Sequence, residues 1–120
     1  MKILIVDDSR AMRQVIAHML REAGFRGNQV VEASDGQQAL TVIHAEEPEL
    51  IISDWNMPGL TGIQLLQAVR EAEVKTPFGF VTTEVSAEMK QKAFESGASF
   101  LIGKPFSADD FRVALVDILE

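Results

Sequence analysis

The sequence has no cysteine, which excludes a disulfide framework and any thiolate metal site. No apolar run approaches the roughly 20 residues of a membrane-spanning helix. Met1 and Lys2 lead into only four aliphatic residues, 3–6, before two aspartates interrupt, too short a run for the apolar region of a secretory signal. Basic side chains are in the minority, with 11 Lys and Arg against 18 Asp and Glu and a net charge of -7. A broad electrostatic hold on nucleic acid or anionic lipid is thereby excluded, since both need a basic face. A cation or a basic partner surface suits the chain better. Linkers and low-complexity tracts are missing as well, so the expectation is a single domain over residues 1–120 with a cytoplasmic location.

What is present is the composition of an ordinary globular protein, 47% hydrophobic and 24% charged, with length for one core but not two. Apolar, β-branched-rich runs recur at residues 3–6, 30–33, 50–52, 78–81 and 100–102, separated by stretches of helical spacing. That alternation predicts βα units around a parallel sheet. In the first helix Met12, Val15, Ile16, Met19, Leu20 and Ala23 form the apolar face, and Gly24 is the stop. Ser34 or Asp35 caps the second, Thr61 or Gly62 opens the third after the turn "MPGL", and Ser86 caps the fourth, which stops at Gly97. The last starts at Ser107 with Asp110 three residues on and carries Phe111, Ala114, Leu115 and Ile118 on one face. The five methionines read as core filler.

Strands that are apolar throughout, rather than alternating, predict a sheet covered by helices on both faces. The expected fold class is α/β, a doubly wound five-stranded parallel (βα)5 sheet in the flavodoxin-like order 2-1-3-4-5. Its ligand crevice would lie between the first and third strands, outside their carboxyl ends.

The polar residues that follow the strands converge on that crevice. Asp7 and Asp8 follow the first, Asp54 the third, Thr82 and Thr83 the fourth, and Lys104 the fifth. Three carboxylates so placed would repel or protonate unless a cation received them. Mg²⁺ prefers oxygen ligands and keeps positions open for water and a phosphate. Beside the Thr82 hydroxyl and the Lys104 ammonium, such a metal seat is the equipment of phosphoryl transfer, with Asp54 as candidate nucleophile. Singly, each residue has a plainer reading. Asp7 and Asp8 could cap the first helix, Asp54 could be a turn residue, Thr82 a β-branched strand residue and Lys104 a surface cation. Their meeting on one sheet edge favours the site. His18 and His44 lie on predicted helices without partners at metal spacing and are read as surface or boundary residues.

The stretches "VDDS", "SDWNMPGLTG", "VTTE" and "GKPF", in this order and spacing, resemble the receiver domain of two-component response regulators over the whole chain. "DWNMPG" is most similar to the stand-alone chemotaxis regulators of the CheY type. The resemblance implies that Asp54 accepts a phosphoryl group from a phosphohistidine on a sensor histidine kinase. It implies that Asp8, Asp54 and the backbone carbonyl of Asn56 bind Mg²⁺, with Asp7 helping through water. Thr82 and Lys104 would bind phosphoryl oxygens, the Lys104–Pro105 peptide would be cis, and the side chains of Asn56 and Glu84 would tune autodephosphorylation. The output would be an altered face made by the fourth helix, fifth strand and fifth helix, offered to a downstream target by a monomer or a weak dimer through that face. Such a chain catalyses only its own phosphorylation and dephosphorylation. In many receivers the middle of the fifth strand carries an aromatic residue that turns inward as the threonine moves. Here that position is Leu101, with Phe100 just before it. Gly79 and Gly103 point to close backbone approaches, and Trp55 is read as lying over the site mouth, with a packing role equally open.

Three other readings compete. A haloacid-dehalogenase-type hydrolase also pairs an aspartate nucleophile with Mg²⁺, but it needs a spaced "DxD" where this chain has adjacent aspartates. A flavodoxin-like carrier would need a hydroxyl- and glycine-rich phosphate loop in place of "DDSRAM". A receiver belonging to a larger regulator with an output domain is the third.

Overall fold

A computed structural model describes residues 1–119. The elements follow in chain order as β1 (Lys2–Val6), α1 (Arg10–Glu22), β2 (Gln29–Ala33), α2 (Gly36–Glu46), β3 (Leu50–Asp54), α3 (Gly62–Glu71), β4 (Phe78–Thr82), α4 (Ala87–Glu95), β5 (Phe100–Gly103) and α5 (Ala108–Leu119). All strands pair in parallel in the order β2-β1-β3-β4-β5, as the sequence predicts.

Helix starts follow from local chemistry. Ser9, not Asp7 or Asp8, is the N-cap of α1, its hydroxyl accepting from the Met12 N–H. Asp35 rather than Ser34 caps α2, Thr61 caps α3 in a full capping box with Gln64, and Ser86 caps α4. Each cap satisfies an amide that the first helical turn leaves without a partner, and losing one costs about 0.5–2 kcal/mol. Gly97, at φ +102°, follows the end of α4 in the left-handed region that ends helices.

The sheet is buried on both faces. One layer joins Ile16 and Leu20 of α1 to Phe111 and Leu115 of α5, over Ile3, Ile5, Ile52 and Val81. The opposite layer joins α2, α3 and α4 through Ile43, Leu66, Val69 and Ala93, over Leu4, Ile51, Phe78 and Phe80. β1, β3 and β4 are wholly or almost wholly buried, while the edge strands β2 and β5 are open in part. Two expectations are corrected. Val15 is 40% exposed, because it sits one residue off the inward stripe that Ile16 and Leu20 define. Among the methionines Met57 is buried, but Met1 is exposed at the chain start and fills no core.

Gly79 is a packing requirement. A Cβ there would lie 2.1 Å from Cζ of Phe100, its register partner on β5, so the ring lies directly over the glycine. This fixes Phe100 on the α1/α5 side of the sheet, whereas Leu101, opposite Phe80, packs on the other side, the one shared with Thr82. At Gly103 a Cβ would come within 2.9 Å of the Val85 side chain. A Gly79→Ala substitution should therefore cost about 1–3 kcal/mol in urea unfolding, the range for overpacking a filled core. Combining it with Phe100→Leu should cost less than the sum of the two single changes, and strict additivity would show that the ring and the glycine do not meet.

Candidate functional site

The site is assembled at the carboxyl ends of the strands. Asp7 directly follows β1 and is 2% exposed, Asp54 is the last residue of β3 and is 8% exposed, and Asp8 beside Asp7 is exposed. Each offers a carboxylate oxygen within 4.8 Å of the others. Thr82 ends β4 and is fully buried, and Lys104 follows β5. The sequence-predicted acids, hydroxyl and cation therefore gather on one edge. Lys104 Nζ lies 3.5 Å from Asp54 Oδ1 and 3.7 Å from Asp7 Oδ2. The Lys104–Pro105 peptide is cis, as expected.

Backbone geometry brings Asp54 forward. The Trp55 N–H donates to Val81 O at 3.2 Å, and the Gly62 N–H donates to Trp55 O at 2.9 Å, drawing the start of α3 against the loop. Only glycine fits there, since a Cβ on Gly62 would lie 2.3 Å from Asp54 O. The buried Ser53 hydroxyl donates to that same carbonyl at 2.9 Å. Trp55 is half-buried, its ring tilted on Phe80 at a centroid distance of 4.8 Å and packed against the core cluster, so the contacts shown are those of packing. Thr82 Oγ1 accepts from the Glu84 N–H at 3.3 Å, which leaves its own proton to donate. Asn56 and Glu84 are exposed on the loops after β3 and β4. His18 and His44 are also exposed and take no part in the acid cluster, His18 facing Glu22 at 3.5 Å.

The donor set fits a hard divalent cation. Asp7 Oδ2 is buried and accepts no hydrogen bond, and among the described residues Lys104 is the one cation that pairs with carboxylates of this cluster, those of Asp7 and Asp54. Burial raises the Asp7 pKa above its ordinary value. The Ser9 N–H bond lowers it in part, Asp54 raises it again, Lys104 lowers it, and Asp8 raises it. Oxygen ligands alone, with no sulfur or imidazole, suit Mg²⁺ or Ca²⁺ rather than a softer metal.

Sequence reading missed three residues that hold this geometry, namely Arg13, Ser53 and the second role of Ser9, whose N–H donates to Asp7 Oδ1 at 2.9 Å. Ser9 alone had a local signal, as a capping residue before an apolar helix.

The raised Asp7 pKa has a sign. Below the ordinary carboxylate value of 3.8 both folded and unfolded chains hold the proton, and the protonated side chain favours the folded state. That stability is lost as pH rises through the higher folded value. In chelator-treated protein, Asp7→Asn should therefore gain on the wild type in denaturant midpoint as pH rises from 3.8 toward neutrality. A stability difference that stays flat over that span would contradict the raised pKa.

Comparison with known proteins agrees with this geometry. Residues 3–116 match the response regulator receiver domain. Chemotaxis protein CheY of Pseudomonas aeruginosa is 40% identical over 122 residues, covering 100% of this chain and 97% of that protein. Chemotaxis protein CheY-3 of Vibrio cholerae is 39% identical, covering 100% of this chain and 92% of the relative. The crystal structure of Vibrio cholerae CheY4, grown at low pH, superposes with a TM-score of 0.86 at 39% identity, covering 98% of both chains. A β2-β1-β3-β4-β5 sheet, an acidic crevice at its switch point and these similarities lead to one conclusion: the chain belongs to the response regulator receiver domain family.

Proposed function

We propose that this receiver is a phosphorylation-controlled switch in which Asp54 carries the phosphoryl group. The observation that carries the reading is the meeting of three carboxylate oxygens within 4.8 Å, with Lys104 Nζ 3.5 Å from the Asp54 carboxylate. An Asp54 oxygen attacks the phosphorus of a phosphohistidine on a sensor histidine kinase. The P–O bond forms as the P–N bond breaks, and the bonding pair returns to the imidazole nitrogen. Asp8, Asp54 and the backbone carbonyl of Asn56 would hold Mg²⁺, with Asp7 helping through water, and the ion when bound neutralises and orients phosphoryl oxygens. Lys104 pairs with a second phosphoryl oxygen, and Thr82 gives its free hydroxyl proton to a third. The exposed side chains of Asn56 and Glu84, two residues past Asp54 and Thr82, would tune self-dephosphorylation. In this reading the single receiver acts from the cytoplasm, and its chemistry serves only its own phosphorylation and dephosphorylation. The names of its relatives point to chemotaxis as the process served.

A phosphoryl group adds about -1.5 to -2 charges and three acceptors at this edge. Because the Glu84 N–H is bonded to Thr82 Oγ1, a shift of the hydroxyl toward phosphate carries the loop leading into α4. The outer face of α4, β5 and α5 holds a shallow groove of about 720 Å³ lined by Phe94, Leu101, Pro105, Val113 and Ala114. Phe94 is 50% and Val113 72% exposed, apolar points on a groove that Ser99 and Asp110 make partly polar, suited to a downstream protein target or to a weak dimer of receivers. Among the described residues no helix is long and apolar enough to cross a membrane.

Incubation with acetyl phosphate followed by intact mass measurement tests the reaction. The expected result is one labile phosphoryl group, dependent on Mg²⁺ and absent from Asp54→Asn. Lys104→Ala should stay folded and lose most of the conformational response. Equal labelling of Asp54→Asn would sink the assignment of the acceptor.

A further inference from the structure

We infer that Arg13 is a positioning residue for the acid cluster, holding Asp7 so that a single carboxylate oxygen is left for the cation. The inference rests on the magnesium reading above and goes beyond it to a residue that touches neither metal nor phosphate. Arg13 lies one turn into α1, and its side chain is 14% exposed. Its guanidinium reaches two ways. Nη1 donates to the backbone carbonyl of Asp7 at 2.6 Å, and Nε donates to Glu32 Oε1 on β2 at 2.8 Å.

Counting the polar atoms of Asp7 shows what that contact does. Its N–H donates to Ala33 O at 3.1 Å, its carbonyl accepts from Arg13, and Oδ1 accepts from the Ser9 N–H at 2.9 Å. Oδ2 alone is buried with no hydrogen-bond partner. Every other polar group of the residue is spent on β2, on the α1 cap or on Arg13, so the peptide joining Asp7 to Asp8 cannot rotate without breaking a bond. Asp8 is exposed and makes no side-chain hydrogen bond among the described residues. Its placement therefore depends on that peptide. A planar fork fixed at one end by Glu32 can hold a carbonyl in this way, whereas a lysine ammonium in the same place would keep the charge and lose the second prong. Partners that orient a metal ligand, without being ligands, typically control about 10–100-fold of metal affinity.

Calorimetric Mg²⁺ titration of the metal-free chain, with metal-free thermal unfolding alongside, separates positioning from a merely structural role. Arg13→Ala and Arg13→Lys should each raise the Mg²⁺ Kd by about 10-fold or more. Glu32→Gln, which keeps a neutral acceptor for the guanidinium, should raise it less. A Kd within about twofold of wild type in both Arg13 variants, with only the melting temperature lowered, overturns the inference and leaves Arg13 as a staple between α1 and β2. Tighter binding by Arg13→Ala also overturns it, because the guanidinium would then act as a competing cation. If Arg13→Ala does not fold, Arg13→Lys and Glu32→Gln decide, and an unchanged Kd in both refutes the proposal. A wild-type chain without Mg²⁺ affinity removes the parent reading and the inference with it, an outcome distinct from wild-type binding that ignores Arg13.

Discussion

Like charges held together are the constraint on which this molecule is built. Parallel pairing of β1 with β3 puts Asp7 and Asp54 at adjacent strand ends, and their carboxylates, with that of Asp8, come within 4.8 Å. In water such acids would separate, and in a flexible loop they would turn outward. Here two of them are nearly buried and the backbone that carries them is bonded on several sides. One ammonium, 3.5 and 3.7 Å away, offsets only part of the repulsion. The fold thus holds an electrostatic cost that a divalent cation or a change of protonation relieves, and the rigid sheet keeps it from being relieved by movement.

The rigidity has identifiable sources. Gly62 lets α3 press against the carbonyl of Asp54, and the Ser53 hydroxyl holds that carbonyl from within the strand. Across the sheet, the Phe100 ring covers Gly79 on the α1/α5 side, so the aromatic residue of β5 is separated by the sheet itself from the layer that contains Thr82. Leu101 occupies the Thr82 side instead, against the cluster of Phe78 and Phe80. An inward-turning aromatic relay of the kind common among receivers therefore has no β5 ring to use on that side. A neighbour that adjusts to Thr82 must do so as a half-buried aliphatic side chain.

How much of this was legible in the sequence depended on the range of the interaction. The strands were readable because apolar runs between Gly, Pro and acidic punctuation need no partner to be recognised, and their uniform hydrophobicity predicted a two-faced sheet. The acids, threonine and lysine were readable because each stands directly after a run, so topology alone brings them together. Val15 was misplaced because helical spacing leaves an uncertainty of one residue that only packing against α5 and the sheet resolves. Arg13 could not be found at all. Its partners are a backbone carbonyl six residues earlier and a glutamate on another strand, and neither leaves a mark in local sequence. Ser53 and Gly62 share that difficulty, since what they secure is a carbonyl rather than a side chain.

Under the proposed reaction, the path from site to surface narrows to one hydroxyl. Thr82 can donate its proton to a phosphoryl oxygen while still accepting from the Glu84 N–H, so the two bonds cooperate rather than compete. A neutral bond of this kind contributes about 0.5–1.5 kcal/mol and a charge-assisted bond to phosphate roughly twice that. The phosphoryl contact therefore sets the hydroxyl's position, and the weaker bond follows with its loop. What reaches the outer face is correspondingly limited. A shift worth about 1.4 kcal/mol changes a partner's preference about tenfold, and no partner can draw more from the switch than its own difference in affinity for the two faces.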